Sequence, residues 1–251
     1  MSITFGHGIT LGHGITASTS GGGGASIGST TSTVTPSVTG SVSTGTTNGS
    51  PFGTSVNSYQ FATQPASAPY NTISFSGANV GFNVGTGDFT VEWFQYQTVA
   101  ASFARIFWYG ASPSLGISLE GSMYFWPGVT SLGSPGSNLN AWVHFAIVRI
   151  SNKLYAYRNG TLISTAGGVT NNTNISDNSS TFYIGSKANG GLQSEQFSGS
   201  ITSFRFCNVG VYTGAFTTPT SPLGQTQSAN PYGGSNTSAI TSGQCKLLLN
   251  P

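Results

Sequence analysis

Five side chains carry every carboxylate in the chain: Asp88, Glu92, Glu120, Asp177 and Glu195. Hydrolysis of a glycosidic bond needs two such groups flanking it, about 5–10 Å apart. Asp88 and Glu92 stand nearest one another in sequence, yet along an extended strand they are separated by about 13 Å, too far for a retaining pair. The sequence holds no G-x-S-x-G elbow, no phosphate-binding loop and no zinc-ligand spacing. His7 and His13 have no Cys, Asp or Glu beside them and read as loop residues rather than metal ligands. His144, between Val143 and Phe145, reads as a structural histidine within a strand. Cys207 and Cys245 make no CxxC or metal pattern; they read as two buried thiols that meet only if their strands are neighbours. Catalysis is therefore not expected. Aromatic rings are the other chemistry available. Trp108, Tyr109, Tyr124 and Trp126 are candidates for stacking on sugar rings, with core packing as the alternative for each.

The elements that must position these groups are written in the composition. Charged residues are 5% of the chain, against a usual share near ~25%. A net charge of +2 offers little counterion release, so nucleic acid is not an expected partner. Aromatic content of 12% separates the chain from disordered sequences. No run of consecutive apolar residues reaches membrane-spanning length, so no membrane partner is expected. The opening residues have neither a basic n-region nor an apolar h-region and read as lacking a secretory signal.

No charged residue precedes Asp88. Ile3-Thr4-Phe5-Gly6-His7-Gly8 is followed by Ile9-Thr10-Leu11-Gly12-His13-Gly14, and a third copy begins at Ile15-Thr16. Two copies and a fragment do not make a self-supporting solenoid. Residues 1–16 are therefore expected to pair with other chains as an anchor, through Ile3, Phe5, Ile9, Leu11 and Ile15. Of the 34 residues from 17 to 50, 26 are Ser, Thr or Gly, a composition that gains order only against a neighbour or its own domain. Residues 17–69 are expected to be an arm and linker. From residue 70 to 251 the chain reads as short strands punctuated by turn signals, including Phe89-Thr90-Val91-Glu92-Trp93 and a hairpin over Asn159-Gly160. No window sustains a helical period, so an all-β antiparallel sandwich or jelly roll is predicted. Trp93, Trp142 and Phe204 are expected in its core.

The order of motifs resembles laminin-G-like, concanavalin A-like lectin/glucanase jelly rolls. Asp88-Phe89-Thr90-Val91-Glu92-Trp93, Trp142-Val143-His144-Phe145-Ala146-Ile147-Val148-Arg149, Leu154-Tyr155-Ala156-Tyr157-Arg158-Asn159-Gly160, Phe182-Tyr183-Ile184-Gly185 and Phe197-Ser198-Gly199-Ser200-Ile201 follow that family's sequence of strands. Tyr212-Thr213-Gly214-Ala215-Phe216-Thr217 is similar to a tail found in many viral, phage and marine metagenomic members. The resemblance spans about residues 70–223 and implies a concanavalin A-like fold, with Leu247-Leu248-Leu249 closing it. The clustered E-x-D-x-E of this fold's hydrolases is missing. Calcium is the one cofactor the resemblance implies. The loop with Asn174 and Asp177 offers it oxygens but only one carboxylate, so no tight site is expected. The layout implies a virion structural protein, capsid-decorating or fibre-forming, that displays a lectin-like domain to polysaccharide. A tail-fibre adhesin and a cellular extracellular adhesin are the alternatives. Its expected partners are capsid or fibre subunits through residues 1–50, and copies of itself, with a trimer as the fibre form.

Overall fold

The computed structural model describes residues 25–26, 36–53, 56–63, 70–76, 83–100, 104–109, 115–119, 122–126, 130–136, 138–176, 181–186 and 195–251. In chain order the strands are β1 (Ala25–Ser26), β2 (Ser37–Thr39), β3 (Val42–Gly45), β4 (Ser58–Phe61), β5 (Thr72–Ser76), β6 (Phe89–Gln97), β7 (Ala104–Tyr109), β8 (Leu115–Leu119), β9 (Met123–Trp126), β10 (Thr130–Ser131), β11 (Trp142–Ile150), β12 (Lys153–Arg158), β13 (Thr161–Leu162), β14 (Val169–Thr170), β15 (Thr181–Ile184), β16 (Gly199–Cys207) and β17 (Cys245–Leu249). They form two antiparallel sheets. The first runs β1-β17-β16-β6-β11-β12-β13, with β14 on β12 and the β3–β4 hairpin on β16; the second runs β10-β9-β8-β7-β15-β5-β2. The architecture is the all-β jelly-roll sandwich that the strand spacing predicts.

Alternate residues of the three central strands of the first sheet fill the space between the sheets. Phe89, Val91 and Trp93 come from β6, Val143, Phe145 and Ile147 from β11, and Ile201, Phe204 and Phe206 from β16. Each is essentially fully buried, and a side chain of this size contributes about 1.5–3 kcal/mol when removed from water. The step from Ile201 to Phe204 breaks the two-residue period. Thr202 faces Phe94, but Arg205 faces Glu92, so three residues of β16 span two of β6. Ser203 at φ 50° is part of this bulge, which returns Phe204 to the core and sets Arg205 against Glu92 on the opposite face.

That opposite face is also covered. Residues 208–244 leave β16, cross the outside of the first sheet and return as β17. Val211, Tyr212, Leu223 and Ile240 from this excursion pack with Ala146, Val148, Tyr157, Cys207 and Cys245 in a second apolar cluster. Tyr212 and Phe216 stack with ring centroids 3.6 Å apart. The predicted hairpin is present, with Asn159 at φ 47° and Gly160 at φ 76°. Gly160 accepts a hydrogen bond from the Phe216 amide at 3.0 Å, so the turn also seats the cover.

Two expectations change. Trp142 is not in the core, because its neighbour Val143 faces inward; its half-buried ring lies on the other side, against Tyr96 at 5.8 Å, and donates to the Asn48 carbonyl at 2.9 Å. Nor are residues 17–69 a linker throughout. Strands β2, β3 and β4 pair with β5, with β4 and with β16 respectively, and Ala25 lies opposite Leu249. Sheet edges offer unpaired backbone groups to any extended segment, and the Thr- and Val-bearing arm supplies extended backbone without needing large side chains. The anchor residues Ile3, Phe5, Ile9, Leu11 and Ile15 lie outside the described residues.

Candidate functional site

The outer face of the second sheet carries Tyr124, Tyr183, Trp108 and Arg105, the two tyrosines half-buried and the other two buried. A second bulge builds it. Arg105 pairs with Ser118 and Phe107 with Ile117, leaving Ile106 as the extra residue of β7. Ile106, Phe107 and Tyr109 all join the core, and Arg105 and Trp108 come together on the other side. The Arg105 guanidinium lies 5.5 Å from the Trp108 ring centroid, an attractive cation–π geometry. Its Nη2 also donates to Glu195 Oε1 at 3.0 Å. The indole is thus braced and its neighbouring charge is neutralised by a carboxylate.

Register extends this site across the sheet. Ser74 lies opposite Tyr183, Tyr183 opposite Trp108, Trp108 opposite Gly116, and Gly116 opposite Trp126. One cross-strand row therefore carries three aromatic residues with a glycine between the two tryptophans. Since neighbouring strands are about 4.8 Å apart, Gly116 leaves a gap of roughly two strand spacings with no side chain in it. Tyr124 lies opposite Ser118 in the adjacent row. Tyr124 and Tyr183 are half-buried; Trp108 is 8% exposed.

Of the four aromatics singled out from sequence, Trp108 and Tyr124 share this face, and Trp126 shares the Trp108 row by backbone register, its side chain being outside the described residues. Tyr109 is a correction. It is 0% exposed and packs against Phe182 with ring centroids 6.1 Å apart, because consecutive strand residues face opposite ways and Trp108 takes the outward position. Tyr183 was not singled out. Its signal was its place between Phe182 and Ile184, two inward core residues.

The proposed calcium loop is used differently. Arg149 donates from Nη1 to Asn171 Oδ1 (3.3 Å) and the Thr173 carbonyl (2.8 Å), from Nη2 to the Gly85 carbonyl (2.7 Å), and from Nε to the Gly87 carbonyl (2.8 Å). A guanidinium stands where these oxygens converge, so the described part of the loop does not fit a resident calcium. Asn174 is exposed on the same loop, and Asp177 lies outside the described residues. No cluster of three His, Cys, Asp or Glu suited to a metal occurs among the described residues.

The described carboxylates are all engaged. Asp88 Oδ1 accepts the Ser151 amide at 2.9 Å, and Glu195 pairs with Arg105. Glu92, fully buried beneath the cover, accepts from Arg205 Nη2 (2.6 Å) and Nε (2.9 Å) and from the Tyr212 hydroxyl (2.7 Å), with His144 Nε2 at 3.2 Å. Burial by itself would raise the Glu92 pKa; the Arg205 charge, with His144 and Tyr212, overcomes this and lowers it to about 2. This is a fixed ionic lock, and its geometry leaves no oxygen for proton transfer to a ligand.

A groove of about 380 Å³ lies beside the β3–β4 hairpin and is lined by Ser41, Ser43, Thr47, Asn48, Gln60 and Thr98 among others. Thr47 donates to Gln60 Oε1 and Asn48 to the Ser200 hydroxyl, while Gln60 Nε2 is buried with no hydrogen-bond partner among the described residues.

A family model described as the concanavalin A-like lectin/glucanases superfamily matches residues 67–217. Among solved structures, the chain is similar to the binding domain of Paraclostridial Mosquitocidal Protein 1, at 16% identity and a TM-score of 0.52, covering 71% of this chain and 45% of that one. It is also similar to domain 4 of an extracellular GH43 arabinanase from Geobacillus stearothermophilus, solved with arabinotriose, at 14% identity and a TM-score of 0.49, covering 71% and 83%. A third is a putative carbohydrate binding protein from Bacteroides ovatus, at 17% identity and a TM-score of 0.42, covering 50% and 38%. No curated protein matches the chain.

Proposed function

The chain belongs to the concanavalin A-like lectin/glucanase superfamily, and from that premise we propose that it is a non-catalytic module holding neutral polysaccharide on the outer face of its second sheet. The observation that carries this reading is the Tyr183–Trp108–Gly116–Trp126 row, with Trp108 braced by Arg105. Flat aromatic surface set beside polar groups is what sugar rings stack against. Pairing of Arg105 with Glu195 favours an uncharged glycan over an acidic one, because neither charge is left over to select its opposite. Engagement of Asp88, Glu92 and Glu195 within the fold supports binding over hydrolysis.

Affinity electrophoresis through gels containing arabinan, xylan, laminarin or dextran tests this. Retardation by at least one polysaccharide is expected, with Tyr183→Ala weakening it roughly tenfold and Asn48→Ala, in the groove, leaving it unchanged. Loss with Asn48→Ala alone would move the site to the groove; no retardation of the wild type in any gel would overturn the reading.

We further propose that the module is displayed outside the cell on a virion, as a capsid decoration or surface fibre, with a tail-fibre adhesin as the nearest alternative. Support comes from the charge-free N-terminal sequence and the Tyr212-Thr213-Gly214 tail that resembles viral members. Because residues 37–39 and 42–45 pair within the sandwich itself, we assign the anchor to the hexad segment of residues 1–16, which would join capsid or fibre subunits in a homo-oligomer. Gold labelling of intact particles with an antibody to residues 70–223 is expected to decorate the head. Label confined to the tail would favour the adhesin, and absence of label would return the protein to cellular adhesins.

A further inference from the structure

We propose that Cys207 and Cys245 are a cross-strand disulfide site that fastens the base of the cover over the first sheet. The two residues are partners on β16 and β17, next to a bulge in which Lys246 is the extra residue between the Phe206–Leu247 and Cys207–Cys245 pairs. The Asn208 amide donates to the Gln244 carbonyl at 2.9 Å immediately beyond them, so the cysteines occupy the adjoining non-hydrogen-bonded position of the ladder. At that position in an antiparallel pair the Cα atoms are about 4.5 Å apart and the side chains are at their closest, within the roughly 4.4–6.8 Å span a disulfide bridges. Both side chains join the cluster under the cover, so they point to the same side of the sheet. Both are free thiols in this structure.

The segment enclosed by such a bond is residues 208–244, the excursion that carries Tyr212 to Glu92 and brings Gly224 and Gln227 to Arg205. A covalent link at its base holds both ends of the cover together where β16 and β17 meet.

With oxidised glutathione as the oxidant, the thiolate of one cysteine attacks one glutathione sulfur, forming a mixed disulfide and releasing one glutathione thiolate. The deprotonated sulfur of the other cysteine then attacks the protein sulfur of that mixed disulfide, forming the protein disulfide and releasing the second glutathione. Two protein thiols are oxidised and one glutathione disulfide is reduced to two thiols. Since both sulfurs are buried once β17 has docked, exchange is expected during folding rather than on the folded surface.

The test is to refold the full chain from denaturant with oxidised and reduced glutathione, alkylate it under denaturing conditions, and compare it with a sample refolded under a strong reductant. The expected product is about 2 Da lighter than the dithiol form, takes up no alkylating reagent, and yields a Cys207–Cys245 linked peptide in a non-reducing digest. It is also expected to melt roughly 5–15 °C above the reduced protein, and Cys245→Ser refolded alongside shows no such rise. Two alkylated cysteines after glutathione refolding, or equal melting midpoints with the bond formed, would overturn the proposal.

Discussion

Arg205→Ala is expected to lower the free energy of unfolding by about 3–5 kcal/mol, the cost typical of leaving a buried charge without its partner. Arg205 supplies Glu92 with two of its hydrogen bonds and with the charge that keeps it ionised in a fully buried position. The same guanidinium donates to the Gly224 carbonyl and to Gln227 Oε1, both at 2.8 Å. Its removal therefore strands a carboxylate and unfastens the cover together. Denaturant titration reads the first effect, and faster proteolysis within residues 208–244 reads the second. A loss below about 1 kcal/mol would show that the lock does not hold the sandwich.

The lock also has a pH signature. Glu92 moves from an ordinary 4.5 to about 2 in the folded protein. A depressed carboxylate contributes stability that is fully present above its unfolded pKa and is lost as pH falls through the folded one. Unfolding free energy should thus decline between about pH 4.5 and pH 2, by roughly 3 kcal/mol for a shift of this size. Arg205→Ala should flatten that acid limb.

Trp108→Ala is expected to weaken polysaccharide binding by about 2 kcal/mol or more, the scale of an aromatic hot spot and roughly thirty-fold in Kd. Trp108 occupies the middle of the aromatic row and is the ring braced by Arg105. Its truncation removes the indole from the middle of the row and the cation–π partner of Arg105. Arg105→Lys gives a graded companion, since a lysine retains the charge but not the planar group that lies over the indole. An intermediate loss is expected, measured by calorimetry against the polysaccharide that retards the wild type most. Wild-type affinity in Trp108→Ala, with folding intact, would remove the row from the binding site.

Much of this fold was legible because its strands alternate or carry turn residues of defined conformation. Phe89, Val91 and Trp93 announce an inward face, and Asn159-Gly160 announces a tight hairpin. The two bulges were not legible. An extra residue such as Ile106 or Ser203 is defined only against the partner strand, and the sequence of β7 or β16 alone does not show it. Yet these bulges place Arg105 beside Trp108 and Arg205 against Glu92. The arm strands β2, β3 and β4 were hidden for another reason: Ser- and Thr-rich sequence reads as linker until an edge is available to pair with it. At the site, residue type singled out Trp108 and Tyr124, the bulge at Ile106 hid the inward turn of Tyr109, and the two-residue period between Phe182 and Ile184 points to Tyr183.

Hydrogen exchange of the full chain, with and without the best-retarding polysaccharide, tests the binding face most directly. Ligand-dependent protection is expected in peptides covering residues 104–109, 115–119, 123–126 and 181–184, with residues 41–48 and 208–244 unchanged. Protection confined to residues 41–48 and 98, or absent from the second sheet altogether, would contradict a glycan site on its outer face.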